Sequence, residues 1–429
     1  MLNLDEIFDL VDNLDREEVM SLMKLLISID TSIPPANTYR EYVDTISPFF
    51  KELGYSLEEV IVPEELVKQI PLPLEGPRVN LVATKDYGLE TYVTFYGHMD
   101  VVPAPMDGKD KWRFPPFEAT MIKSGKIYGR GTSDMKGAMV CLILALRIIE
   151  KLNLTPKYNL RIVNCTDEEA GSYPGVRYLA EKGYLKDIIF CMELAINLII
   201  IVGMAGSLNV NVKTIGKAAH SGMNFLGVNA LEEMIPILNE LMELKRIVEA
   251  RESKDIPGLP RPGSKLKFQM SPMFNLAIIK SGEIANILPD LCTLIINRRI
   301  IPDEKYDDVK QEILDAIERG KAKSKALDVI TTFYYSCPAL RVNPKSPPIN
   351  RIKKVMSLVQ NVPEDQIEIL GVPGSTDMGF VSEILKIDDI IIHGIATLGS
   401  KTHGVNETVK LKDMKTYIKE LIVFLCADL

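Results

Sequence analysis

The chain holds only four histidines, His98, His220, His393 and His403, so any chemistry that needs an imidazole has few places to occur. His98 closes the apolar run TYVTFYG within GHMD, which puts it at the carboxyl end of a strand, where α/β sheets carry their sites. Asp100, two residues on, is placed to accept a hydrogen bond from the ring nitrogen not used for a metal and so to orient the ring. A second apolar run ends in NCTDEEAGS, with Asp167, Glu168 and Glu169 in succession. Adjacent like charges are costly there unless a cation neutralises them or water solvates them, and both readings stand at this point. Glu193 is the only charge in DIIFCMELAINLIII, an expensive position for a carboxylate without a partner. Asp134 lies between the glycine-rich GRGTS and the apolar AMVCLILALRII, and HGVNE supplies His403. Two imidazoles and several carboxylates, with no thiolate, suit a pair of zinc ions or similar divalent cations bridged by one carboxylate. Hydrolysis at such a pair needs one further carboxylate to take a proton from the bridging water.

These residues must be held by a frame, and the hydrophobic pattern describes one. The first half alternates helix-like and strand-like segments: LMKLLISI, EYVDTISPFFKELGY, TYVTFYG, AMVCLILALRIIEKL, NLRIVNCT, VRYLAEKGY and DIIFCME. Continuous apolar strands between amphipathic helices predict a buried, largely parallel α/β sheet, with His98, Asp134, Glu168, Glu169 and Glu193 gathered at its strand ends. After GMAGS the order becomes strand, helix, two strands, helix, strand, that of a ferredoxin-like α+β sandwich. The tail returns to α/β character. The expected division is residues 1–204 and 338–429 for the larger domain and 205–337 for an insert. GLPRPGSKLKFQMSP reads as a long loop of that insert.

Composition narrows the function. Hydrophobic residues make up 46% and charged residues 25% of 429, as expected of a folded, water-soluble protein. The net charge of −8 brings no basic run of the kind that neutralises phosphates, which argues against nucleic acid as a partner. No apolar stretch reaches the roughly 20 residues of a membrane helix. The acidic N-terminus is unlike a secretory signal, and six scattered cysteines without a CxxC pair read as buried thiols. The expected location is the cytoplasm.

As a set, GHMDVVP, the Trp112 segment with PPF, GRGTSDMKG, TDEEAGS, the Glu of CMEL, GKAAHS, NILPD, GSTD and HGVNE resemble, in order and over nearly the whole chain, the acetylornithine deacetylase, succinyl-diaminopimelate desuccinylase and glutamate carboxypeptidase family of dinuclear zinc hydrolases. The resemblance implies that His98 and Glu193 hold one zinc, Glu169 and His403 the other, and Asp134 both. Cobalt or manganese would be substitutes. It implies Glu168 as general base and Asp100 as orienter of His98. In similar proteins the inserted domain is a lid that often dimerises, and the counterpart of His220 polarises the scissile carbonyl in the partner subunit's site. Asn286 and Arg299 match positions that hold a substrate carboxylate, with Gly374, Ser375 and Thr376 nearby. This sequence departs from the pattern at Leu194, where proline usually follows the glutamate, at Asn297, and in GMAGS, which lacks a basic residue.

The expected function is a metal-dependent amidohydrolase releasing an amino acid from an N-acyl amino acid. A carboxypeptidase or dipeptidase acting next to a free carboxylate is the alternative, and a non-catalytic metal-binding relative the minor one. Plainer readings compete at single residues: His220 as a helix-entry residue, Arg299 as a salt-bridged strand residue, and His393, in IIIHGIA, as packed core.

Overall fold

The apolar segments at the front of the chain pair into one six-stranded sheet. Its order is β1 (Ser56–Ile61), β2 (Val79–Lys85), β6 (Asn159–Cys165), β3 (Tyr92–His98), β7 (Ile188–Cys191) and β15 (Ile390–Ile392). The pairings β6–β3, β3–β7 and β7–β15 are parallel, while β1–β2 and β2–β6 are antiparallel. The sheet is therefore mixed, with parallel pairing where the chemistry-bearing strands lie. Register does the gathering: His98 pairs with Cys165 and Tyr96 with Cys191, so three strands end along one edge and their following residues emerge together.

The computed structural model describes residues 3–106, 111–171, 173–195, 198–260 and 268–429. The chain divides into two compact units, the first of residues 1–201, 342–369 and 381–429, the second of 202–341 and 370–380. These boundaries differ from the expected ones by a few residues, and the short segment 370–380 goes with the insert.

In the first unit, helices α1 (Leu4–Asp12), α2 (Arg16–Ile27), α3 (Tyr39–Glu52), α4 (Glu64–Val67), α5 (Lys136–Lys151), α6 (Val176–Glu181), α9 (Pro347–Gln360) and α11 (Leu411–Cys426) accompany the sheet. Helix α5 is buried on nearly every face because it packs against α2, α11 and β3 together. Each of its leucines and isoleucines contributes on the order of 1.5–3 kcal/mol by leaving water. A small antiparallel sheet of β4 (Thr120–Met121), β5 (Lys126–Tyr128) and β16 (Thr408–Lys410) lies apart from the main one.

The second unit has β9 (Gly206–Ile215), α7 (Ala230–Glu249), β10 (Met273–Ser281), β11 (Leu291–Ile300), α8 (Tyr306–Lys321) and β12 (Asp328–Cys337), the predicted succession. Its sheet order β10-β11-β9-β12 is antiparallel throughout, the ferredoxin-like arrangement. Strand β9 alternates buried and half-exposed residues, and its Leu208, Val210 and Val212 pack on Met234, Ile237, Leu241 and Ile313 of the two helices. Strands β8 (Ile199–Met204), β13 (Leu340–Arg341) and β14 (Glu368–Val372) form a further small sheet, and α10 (Met378–Leu385) crosses the second boundary. Much of the predicted loop GLPRPGSKLKFQMSP, at residues 261–267, lies outside the described residues. All six cysteines are buried thiols, and no described helix is long and apolar enough to cross a membrane.

Candidate active site

His98 is 2% exposed at the end of β3. Its Nδ1 lies 3.0 Å from the carbonyl oxygen of Asp100 and 3.7 Å from that residue's carboxylate. A carbonyl can only accept, so Nδ1 carries the hydrogen and Nε2 is the ring atom left to bind a ligand. The hydrogen bond expected of the Asp100 side chain is made instead by its main-chain oxygen. The Asp100 carboxylate instead accepts from the main-chain N–H groups of Glu168, at 3.2 Å, and Glu169, at 2.9 Å. It holds the 3-10 turn Glu168–Ala170 by both oxygens.

The three successive acids after β6 do not act as one cluster. Asp167, in the left-handed region with φ 60°, turns into the interior, where Arg78 Nε and the Tyr39 hydroxyl each donate to Oδ1 at 3.4 Å. Burial raises the Asp167 carboxyl to about 7, the Arg78 charge only partly opposing it. Glu168 and Glu169, half-buried, face the other way.

Asp134 is not at a strand end of the main sheet, contrary to expectation. It closes the loop between β5 and α5, and its bond to Met135 is cis. Its Oδ1 lies 3.1 Å from His98 Nε2 and its Oδ2 3.1 Å from His403 Nε2. His403 Nε2 is also 3.0 Å from Glu169 Oε1. One carboxylate thus presents an oxygen to each imidazole. Glu193 follows β7, and its turn is fastened by the Ala195 N–H donating to the Ala396 carbonyl at 2.7 Å. A Cβ at Gly394 would come within 1.7 Å of the Glu193 carbonyl oxygen, so only glycine permits this close approach of the two segments.

The electrostatics favour positive charge at this cluster. Hydrogen bonds to Asp134 and Glu169 raise His403 to about 10. Burial opposes protonation of His98, but Asp100 and Asp134 outweigh it and hold its pKa well above the usual value. Burial would raise Asp134, yet the two histidines pull it below the carboxylate range. A cation drawn to these carboxylates displaces protons from the imidazoles, so metal and proton compete. Ligand atoms of His98, Glu168 and Glu169 lie within 4.8 Å of one another, as do those of Asp134, Glu169 and His403. Both groups are of hard oxygen and imidazole nitrogen, which fits divalent zinc. Glu193 lies beside Glu168, their carboxylate oxygens within 4.8 Å, rather than in a described group with His98.

In the second unit, exposed His220 caps the 3-10 turn Ser221–Leu226, its Nδ1 accepting from Gly222 N–H at 3.1 Å. The plainer helix-entry role is therefore occupied. Ser221 N–H donates to the Asn286 carbonyl at 2.9 Å, which joins the His220 and Asn286 segments. Arg299 donates from Nη1 to Ser375 Oγ at 2.7 Å; Gly374 is exposed and Thr376 buried. His393 is packed core, 2.8 Å from Glu420 and edge-on to Phe190 and Tyr417.

Two further residues, Arg130 of GRGTSD and Glu407 of HGVNE, escaped the sequence reading although both motifs were in view. Arg130 is 2% and Glu407 1% exposed, and they pair at 2.7 Å. The available signal was a charge inside each motif with no metal to hold.

A strand-end histidine, a shared carboxylate and a turn of paired glutamates, on an α/β sheet with a ferredoxin-like insert, define a metal-dependent hydrolase. Peptidase family M20/M25/M40 matches residues 94–425, and the chain belongs to that family. It is 29% identical over 372 residues to a probable succinyl-diaminopimelate desuccinylase of Staphylococcus aureus (strain N315), across 83% of this chain and 87% of that one. It is 25% identical over 458 residues to an N-formyl-4-amino-5-aminomethyl-2-methylpyrimidine deformylase of Halalkalibacterium halodurans, across 99% and 98%. Among solved structures, the di-peptidase Dug1p of Saccharomyces cerevisiae shares the fold, with TM-score 0.76 and 17% identity over 98% of each chain. The chain is a metal-dependent hydrolase acting on C–N amide bonds.

Proposed function

We propose that this enzyme removes an acyl group from the nitrogen of an amino acid, using two zinc ions for which cobalt or manganese can stand in. The observation that carries the reading is the Asp134 carboxylate, whose two oxygens face His98 and His403 at 3.1 Å each. His98 and Glu193 would hold one ion, Glu169 and His403 the other, and Asp134 would serve both. When bound, the ions supply Lewis acidity toward the scissile carbonyl and lower the pKa of water.

Glu168 takes a proton from the attacking water and returns it to the leaving amine. Asp100 keeps that base at its station by accepting from its main-chain N–H. From the family resemblance alone, His220 stabilises the oxyanion, and Asn286 and Arg299 hold the substrate carboxylate with Gly374, Ser375 and Thr376. The named activities of both curated relatives, desuccinylation and deformylation, favour an acyl-amine bond over the peptide bond of a carboxypeptidase or dipeptidase. Leu231, Ile235 and Met242 expose one apolar stripe of α7, and β10 is an unpaired edge of its sheet. These support a homodimer formed through the second unit, and the buried thiols support a cytoplasmic location.

The test is a panel of N-acetyl, N-succinyl and N-formyl amino acids with dipeptides, assayed with added zinc or cobalt. Turnover confined to dipeptides overturns the deacylase reading, and bound metal without turnover on any of them supports a non-catalytic relative. Glu168→Gln should keep both metals and lower kcat by about 10²–10⁴-fold; unchanged kcat removes Glu168 as the base.

A further inference from the structure

The loop that carries Asp134 is wrapped around a single buried carboxylate. Glu407 Oε1 accepts from Ser133 N–H at 2.9 Å, Ser133 Oγ at 2.9 Å and Asp134 N–H at 3.2 Å. Its Oε2 accepts from Arg130 Nη1 at 2.7 Å and Gly131 N–H at 3.1 Å. The Glu407 carbonyl takes the Gly129 N–H at 3.1 Å. With these main-chain donors turned toward Glu407, the Asp134 side chain is left on the opposite side of the loop, toward the imidazoles.

Arg130 extends the arrangement to a second ligand. Its Nη2 donates to the His403 carbonyl and to the Pro103 carbonyl, both at 3.3 Å, and its guanidinium lies 5.2 Å over the Trp112 ring. The Glu407–Arg130 pair therefore joins the two segments whose side chains meet at Asp134 Oδ2 and His403 Nε2. It makes no described contact with His98, which is fixed by β3 and the Asp100 carbonyl.

We infer that Glu407, with Arg130, is a positioning residue that sets the separation of Asp134 and His403 and so governs the affinity of the cation they share with Glu169. This rests on the two-metal reading proposed above. Partners that orient ligands without touching the metal are worth about 10–100-fold in affinity. Here the effect is uneven, because Asp134 serves both ions but only one of the two histidines is tied to the pair.

The experiment titrates cobalt into the metal-free full-length protein, following visible absorption and the equivalents retained on dialysis. The wild type is expected to bind two equivalents. In Glu407→Gln one equivalent should weaken by about 10–100-fold while the other weakens by clearly less. Ser133→Ala, which removes one neutral donor and leaves the buried ion pair whole, should show the same uneven loss on a smaller scale, and decides the matter if Glu407→Gln does not fold. Two wild-type affinities in Glu407→Gln, or equal weakening of both equivalents in Ser133→Ala, overturn the inference. A wild type that binds a single equivalent instead overturns the two-metal reading beneath it.

Discussion

The two histidines of the site reach the same carboxylate from opposite structural situations. His98 is buried, ends a strand paired on both sides, and is oriented by a main-chain carbonyl. His403, whose side chain is 54% exposed, sits in a loop with φ 64° and has no sheet behind it. Around His98 the fastening is done by Asp100, with Asp167, Arg78 and Tyr39 holding the next strand's turn. Around His403 it is done by Glu407 and Arg130. One half of the site is built from the core outward, and the other is tied on by buried charge.

The largest effect should come at the residue both halves share. Asp134→Ala should bring bound zinc below one equivalent and activity to background; retention of both ions breaks the idea that it joins the halves. Next comes the fastening of the sheet side. Arg78→Met leaves Asp167 buried without its cation and should cost about 3–5 kcal/mol in denaturant unfolding, whereas a loss below about 1 kcal/mol would mean the turn is held by other contacts. The histidines themselves should then separate in the metal-free protein. His98→Ala empties a packed position and should cost about 2–5 kcal/mol, while His403→Ala, which removes no packed side chain but gives up half-exposed ion pairs with Asp134 and Glu169, should cost about 1 kcal/mol. Equal costs would erase the contrast drawn between them.

The same turn also predicts a pH slope. Burial lifts Asp167 from 3.8 to about 7, so across that window the folded chain holds a proton that the unfolded chain has released. The contribution of Asp167 should therefore fall as pH rises from about 4 to about 7 and level off above it, while the raised pKa of His403 extends the decline of the metal-free protein to about 10. Asp167→Asn should flatten this slope, and an unchanged slope assigns it to other groups.

Sequence legibility followed the same division. The gathering of strand-end histidine and acids is readable because apolar runs of a length suited to buried strands end in a lone histidine or acid, and parallel register then carries those ends to one edge. The α/β class and the ferredoxin-like order of the insert were readable for the same reason. Asp134 was expected at an end of the main sheet because an apolar helix follows it; its loop in fact leaves β5, a strand of three residues, too short to register as a hydrophobic period. Asp167, Glu168 and Glu169 read alike as acids, and only the left-handed backbone at Asp167 parts them. Glu407 and Arg130 stayed hidden because a buried ion pair between residues 277 apart in the chain leaves no local pattern.

The Asp100 carbonyl that orients His98 has a consequence for how this site can vary. A contact made by a main-chain oxygen survives every change of side chain at that position, so the tautomer of His98 is insulated from point mutation. The Asp100 side chain holds the glutamate turn and, 3.7 Å from the ring nitrogen, adds its charge beside the imidazole. A change of side chain there would move the turn and lower the imidazole's pKa, yet leave the ring its main-chain acceptor.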